Sequence, residues 1–137
     1  QASETARNAW MMAQAQCGPT HVSIRRDAWI ALADDAMRCD YLSHAVRVVG
    51  GKTYRPRLAE TMRLAARILG EATGKATLGH CLIDWNGAHM HFRLEPAYRH
   101  TLNKAALAFR ITNEHSQNPL VVPPFWCFNL ALETALE

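Results

Sequence analysis

Between Lys75 and Pro96 the chain reads KATLGHCLIDWNGAHMHFRLEP, and apolar and polar residues alternate on both sides of Asn86-Gly87. Asn-Gly is the preferred pair for a two-residue type I′ turn, because both central residues need positive φ. That turn predicts a hairpin in which Trp85 pairs with Ala88, Asp84 with His89, Ile83 with Met90, Leu82 with His91, Cys81 with Phe92 and His80 with Arg93. Side chains alternate between the two faces of a strand. One face then carries Cys81, Ile83, Met90, Phe92 and Leu94. The other carries His80, Leu82, Asp84, His89, His91, Arg93 and Glu95. An apolar face of this kind must be covered, since an isolated hairpin is marginal in water.

Elsewhere the period is helical. Residues 3–16 predict a first helix with a small-residue stripe of Ala6, Ala9, Trp10 and Ala13, stopped by Gly18-Pro19. A third short strand is expected at 20–24 or at 120–122. Residues 25–38 predict a helix with Trp29, Leu32, Ala33, Ala36 and Met37 on one side, bent or broken at Asp40-Tyr41. It resumes over 41–49 with Leu42, Ala45, Val46 and Val49, and Gly50-Gly51 closes it. After Pro56, the positions Leu58, Met62, Ala65 and Leu69 predict the buried stripe of another helix, with Arg57, Glu60, Arg63 and Arg67 opposite. Residues 97–111 and 125–136 predict two more helices. Taken together these elements predict one α+β domain over 1–137, a hairpin with a third short strand packed on four or five helices.

Charge changes this picture at one place. The net charge of the 137 residues is only +3. Yet Arg47, Lys52, Arg55, Arg57, Arg63 and Arg67 fall within one stretch that holds a single acid, Glu60. Such asymmetry points to an anionic partner. These six residues are the candidate nucleic-acid or anion site, and the first functional expectation is a non-enzymatic binding protein whose partner is nucleic acid or a nucleic-acid-handling protein.

The polar face of the hairpin supplies the alternative. His80, Asp84, His89 and His91 are three imidazoles and a carboxylate, donors that suit one transition metal ion, zinc foremost, in a metal-binding protein or metal-dependent enzyme. The plainer account is a solvated sheet face, and no cofactor is then required. No nucleophile stands out, because Cys81 falls on the face opposite His80 and His91. The third expectation is a protein-directed inhibitor or assembly subunit. Phe125, Trp126 and Phe128 open the last helix almost all-round apolar, which means burial in the core or in a homodimer interface.

Two local patterns carry less. Residues 21–29, HVSIRRDAW, have the strand-then-helix order that resembles the opening of ribbon–helix–helix DNA-binding proteins. The glycine-containing turn that should follow is absent near Arg38 to Tyr41, so the resemblance covers about ten residues and no more. Gly70 to Ala76 mimics part of a phosphate-binding loop, but it follows a helix and lacks the Ser/Thr. The four cysteines form no C-x-x-C pair, which favours a reduced, cytoplasmic protein with Cys81 and Cys127 as small buried hydrophobes. The chain begins at Gln1 rather than Met, as a processed or excised chain does, and no apolar run reaches membrane-spanning length.

Overall fold

The computed structural model describes residues 2–17, 21–52 and 54–96. Expectations that fall on 97–137, including Cys127 and the Phe125, Trp126 and Phe128 cluster, lie outside the described residues. Within them the elements run α1 (Ala2–Gln14), β1 (Ala15–Cys17), β2 (Val22–Arg25), α2 (Arg26–Ile30), α3 (Asp35–Val49), α4 (Leu58–Gly70), β3 (Gly74–Leu78), β4 (Cys81–Trp85) and β5 (His89–Leu94). The strands make one antiparallel sheet in the order β1-β2-β5-β4-β3. The fold is therefore α+β. No helix among the described residues is long and apolar enough to cross a membrane.

The sheet buries one face. Val22 and Ile24 of β2, Cys81, Ile83 and Trp85 of β4, and Met90, Phe92 and Leu94 of β5 are all buried. All of these but Leu94 share one core cluster with Met11 of α1, Trp29 of α2, Leu42, Ala45, Val46 and Val49 of α3, and Leu64, Ala65 and Ile68 of α4. Each large side chain removed from water in this way contributes about 1.5–3 kcal/mol.

The faces of the hairpin are those its alternation predicts, but its turn is not. Trp85 pairs with Met90, Asp84 with His91, Ile83 with Phe92, Leu82 with Arg93 and Cys81 with Leu94. The register is shifted by two residues, which leaves the side chains within β4 and β5 on the expected faces, while His80 falls outside both strands. Residues 86–88 connect the strands, and Asn86 N–H donates to His89 O at 3.0 Å. The Asn86 side-chain oxygen accepts from the backbone N–H of Ala88 at 2.8 Å and of His89 at 2.9 Å. Asn86 thus spends its amide on an Asx-type bond instead of adopting positive φ. The two-residue turn with both φ positive lies at the other end of β4. Leu78 pairs with Cys81, and between them Gly79 has φ 56 and His80 φ 68.

Three further expectations are corrected. The helical run 25–38 is broken earlier than Asp40-Tyr41: α2 stops at Ile30 and α3 restarts at Asp35. Asp34 supplies the reason, since its side chain caps α3 by accepting from Met37 N–H at 2.8 Å. Arg38 then ties the two helices, donating to the carbonyls of Ile30 at 2.9 Å and Leu32 at 2.8 Å. In α4 the buried positions are Thr61, Leu64, Ala65 and Ile68, while Leu58, Met62 and Leu69 are exposed. In α1 the buried positions are Arg7, Asn8 and Met11, and Ala6, Ala9 and Ala13 face outward. The strand at 20–24 is present as β2, but it is an interior strand paired on both edges within this chain. With only the five-residue α2 behind it, the likeness to a ribbon–helix–helix opening does not extend to the fold.

Candidate functional site

The basic residues converge where the end of α3 meets the β3–β4 turn. Helix α3 closes with Gly50 as its C-cap and Gly51 at φ 67. Gly51 N–H donates to Val48 O at 3.1 Å and Lys52 N–H to Arg47 O at 3.0 Å, the paired bonds of a Schellman closure. This local geometry returns the chain sharply and sets Lys52 beside Arg47. The α3 end packs against the Gly79 backbone so closely that a Cβ on Gly50 would lie 2.2 Å from Gly79 O. Between these walls and the first turn of α4 opens a pocket of about 330 Å³, bordered by Arg47, Lys52, Arg55 and Arg57. A second pocket of about 140 Å³ adjoins it along α4, sharing Glu60 and Leu78, and is bordered by Arg63 and Arg67. All six basic residues singled out in the sequence line this continuous path.

They are not equally available. Arg55 is ion-paired to Asp40 and donates to Ser43 Oγ. Arg67 grips Glu71 through Nε at 3.0 Å and Nη2 at 3.2 Å, donates to Lys75 O at 3.1 Å, and lies 5.2 Å from the centre of the Trp85 ring. The hydrogen bonds from Arg67 hold the Glu71 carboxyl below its ordinary range. Lys52, Arg57 and Arg63 have no carboxylate partner among the described residues. The first turn of α4 also borders the larger pocket, so the partial positive charge of the helix N-terminus adds to the field there. Glu60 is the one acid on the path.

The outer face of the sheet holds the histidines. Strand pairing lines up Gln16, Ser23, His91, Asp84 and Lys75 in one row across all five strands. A 2.7 Å hydrogen bond joins Ser23 Oγ to His91 Nδ1. The His91 ring stacks on His89 with centroids 5.9 Å apart and meets the edge of His21 at 5.8 Å. Arg93 reaches Asp84 at 3.4 Å. Burial, together with the neighbouring His21, His89 and Arg93, lowers the His91 pKa against the opposing pull of Asp84. Ser23 itself is only 8% exposed, so its hydroxyl fixes the His91 ring instead of meeting a solute.

This arrangement departs from the four-ligand cluster expected from the sequence. His80 stands in the β3–β4 turn, at the end of β4 remote from Asp84, His89 and His91. No group of three metal-binding side chains is placed to hold an ion among the described residues. With His80 in that turn, the four side chains expected together as a metal site are not brought into one cluster.

Two cysteine positions agree with their expected character and one does not. Cys81 is fully buried, and burial raises its thiol pKa far above the ordinary value. Cys39 is free and half-buried at the rim of an apolar groove between α3 and α4. Cys17, expected to be a reduced thiol, is disulfide-bonded. The chain matches no protein-family model, and neither a curated protein nor a solved structure matches it.

Proposed function

We propose that the protein is a non-enzymatic binding protein that holds nucleic acid by its phosphates along the groove between α4, the end of α3 and the β3–β4 turn. The observation that carries this reading is the path itself: six basic side chains line two adjoining pockets, and three of them have no carboxylate partner among the described residues. From Arg57 to Arg63 to Arg67 the helix spans ten residues, or about 15 Å at 1.5 Å per residue. At roughly 3.4 Å per phosphate of a stacked strand, that length matches about four phosphates. The ion pairs of Arg55 and Arg67 stand at the surface, where such pairs are worth only about 0–1 kcal/mol, so a phosphate can compete for either guanidinium. A disulfide at Cys17 fits an oxidising compartment, so the cytoplasmic expectation from cysteine spacing is not carried into this reading.

The test is a salt titration of binding to a labelled oligonucleotide by fluorescence anisotropy. Each phosphate neutralised adds about 0.7–0.9 to the slope of log K against log salt. The Lys52→Ala/Arg57→Ala double variant should therefore weaken binding and reduce that slope by about 1.4–1.8. Absence of binding at low salt, or a slope the double variant leaves unchanged, would overturn the proposal.

A further inference from the structure

We infer that the strand this groove takes is single, and that Tyr54 is the platform on which one of its unpaired bases stacks. The inference rests on the nucleic-acid reading above and narrows it. Tyr54 borders the 330 Å³ pocket together with Lys52, Arg55 and Arg57, yet 81% of its surface is exposed. No other large apolar side chain of this surface is so open: Leu58 is 67% and Met62 55% exposed. An aromatic ring left in water between cations offers two things at once, a flat apolar face and a surrounding positive field. That pairing is what a single strand requires, because its phosphates follow the cations while its bases present free faces. A duplex offers no such face, since its bases are stacked on one another and display only their edges in the grooves.

Shape supports the same choice. Duplex DNA is read by a helix or ribbon that projects into the major groove. Here the cations line a hollow, set back between the α3 end, the β3–β4 turn and α4. A pocket of about 330 Å³ takes one base and its sugar, not the width of a double helix. Tyr54 is therefore placed to hold the base, with Lys52 and Arg57 on the flanking phosphates and Arg63 and Arg67 farther along the strand.

The experiment compares single-stranded and duplex DNA of the same sequence against the wild-type chain and the Tyr54→Ala, Tyr54→Phe and Tyr54→Trp variants. Single-strand binding should be the tighter. Tyr54→Ala should lose roughly 5- to 100-fold in affinity for the single strand, the range for removing one base–aromatic stack. Tyr54→Phe and Tyr54→Trp should retain it. The salt slope of Tyr54→Ala should stay at the wild-type value, because stacking releases no counterions. The ring is exposed, so none of these variants threatens folding, and unchanged circular dichroism checks this. Duplex bound as tightly as single strand, or Tyr54→Ala binding at the wild-type level, overturns the inference and leaves the phosphate groove standing. Failure of both nucleic acids to bind removes the groove reading and this inference with it.

Discussion

Replacing Gly50 by alanine tests the packing that builds the groove. The new Cβ would lie 2.2 Å from Gly79 O and 3.0 Å from Val46 O. Both obstacles are backbone atoms, so no side chain can rotate out of the way. Gly50 has φ −74 and ψ −8, which alanine adopts freely. The substitution thus isolates the contact from any dihedral strain. Forcing atoms into a filled space costs typically about 1–3 kcal/mol. Loss of glycine freedom in the unfolded chain returns about 0.4–1 kcal/mol. The net expectation is a loss of up to about 2.6 kcal/mol, seen as a lower urea midpoint at unchanged m value. The control is Gly70→Ala at the end of α4, where no atom lies within 4 Å of the added Cβ. It should be neutral or stabilising by up to about 1 kcal/mol. If Gly50→Ala matched Gly70→Ala, the close approach of α3 to the β3–β4 turn would be refuted. The pocket wall described above would go with it.

Two other perturbations test the frame and the histidine face. Asp34→Ala removes the cap on α3 and should cost about 0.5–2 kcal/mol by urea unfolding, with Asp34→Asn retaining most of it; an unchanged midpoint for the alanine variant would contradict the break between α2 and α3. His91 has a folded pKa below its ordinary 6.5, mainly through burial, with His21, His89 and Arg93 acting in the same direction and Asp84 against them. The unfolded chain then binds the proton more readily, so stability is full above pH 6.5 and falls as pH drops from there through the folded pKa. Thermal melts across this window should show the loss, and His91→Asn should flatten it. The carboxylates held down by arginines, Asp27 and Glu71, lose their contribution only below their ordinary values of 3.8 and 4.5, so the two limbs separate. A melt profile that His91→Asn leaves unaltered would exclude the ring as the source.

What could be read from the residues, and what could not, follows from the symmetry of each pattern. Period-two alternation identified the buried side of β4 and β5, because parity survives any even shift. The same symmetry hides the register, since a two-residue slip leaves the strand faces intact; the register that forms goes with the Asx bonds of Asn86 and the turn at Gly79-His80. The type I′ geometry fell on Gly79-His80, where the sequence offered no Asn-Gly signal. In α4 two stripes run side by side, Leu58, Met62 and Leu69 beside Thr61, Leu64, Ala65 and Ile68. The burial of one and exposure of the other depends on where α3 lies. Strand β3 carries little signal of its own, because Gly74, Lys75 and Ala76 are poor strand formers, and it forms by pairing with β4. The basic stretch was visible as charge asymmetry. Its division into engaged and unengaged cations was not, since Asp40 lies 15 residues from its partner Arg55.

The sheet order has a consequence for how the chain comes into being. Ser23 of β2 is bonded to His91 of β5 across 68 residues of sequence. A growing chain emerges from its N-terminus first, so β2 is synthesised well before the strand that completes its pairing. Until 89–94 has emerged, Val22 and Ile24 have an unfilled hydrogen-bonding edge on that side, with only the three-residue β1 on the other. An apolar strand with an open edge invites pairing with other chains. During the interval between β2 and β5 the nascent protein therefore presents an open strand edge to other chains.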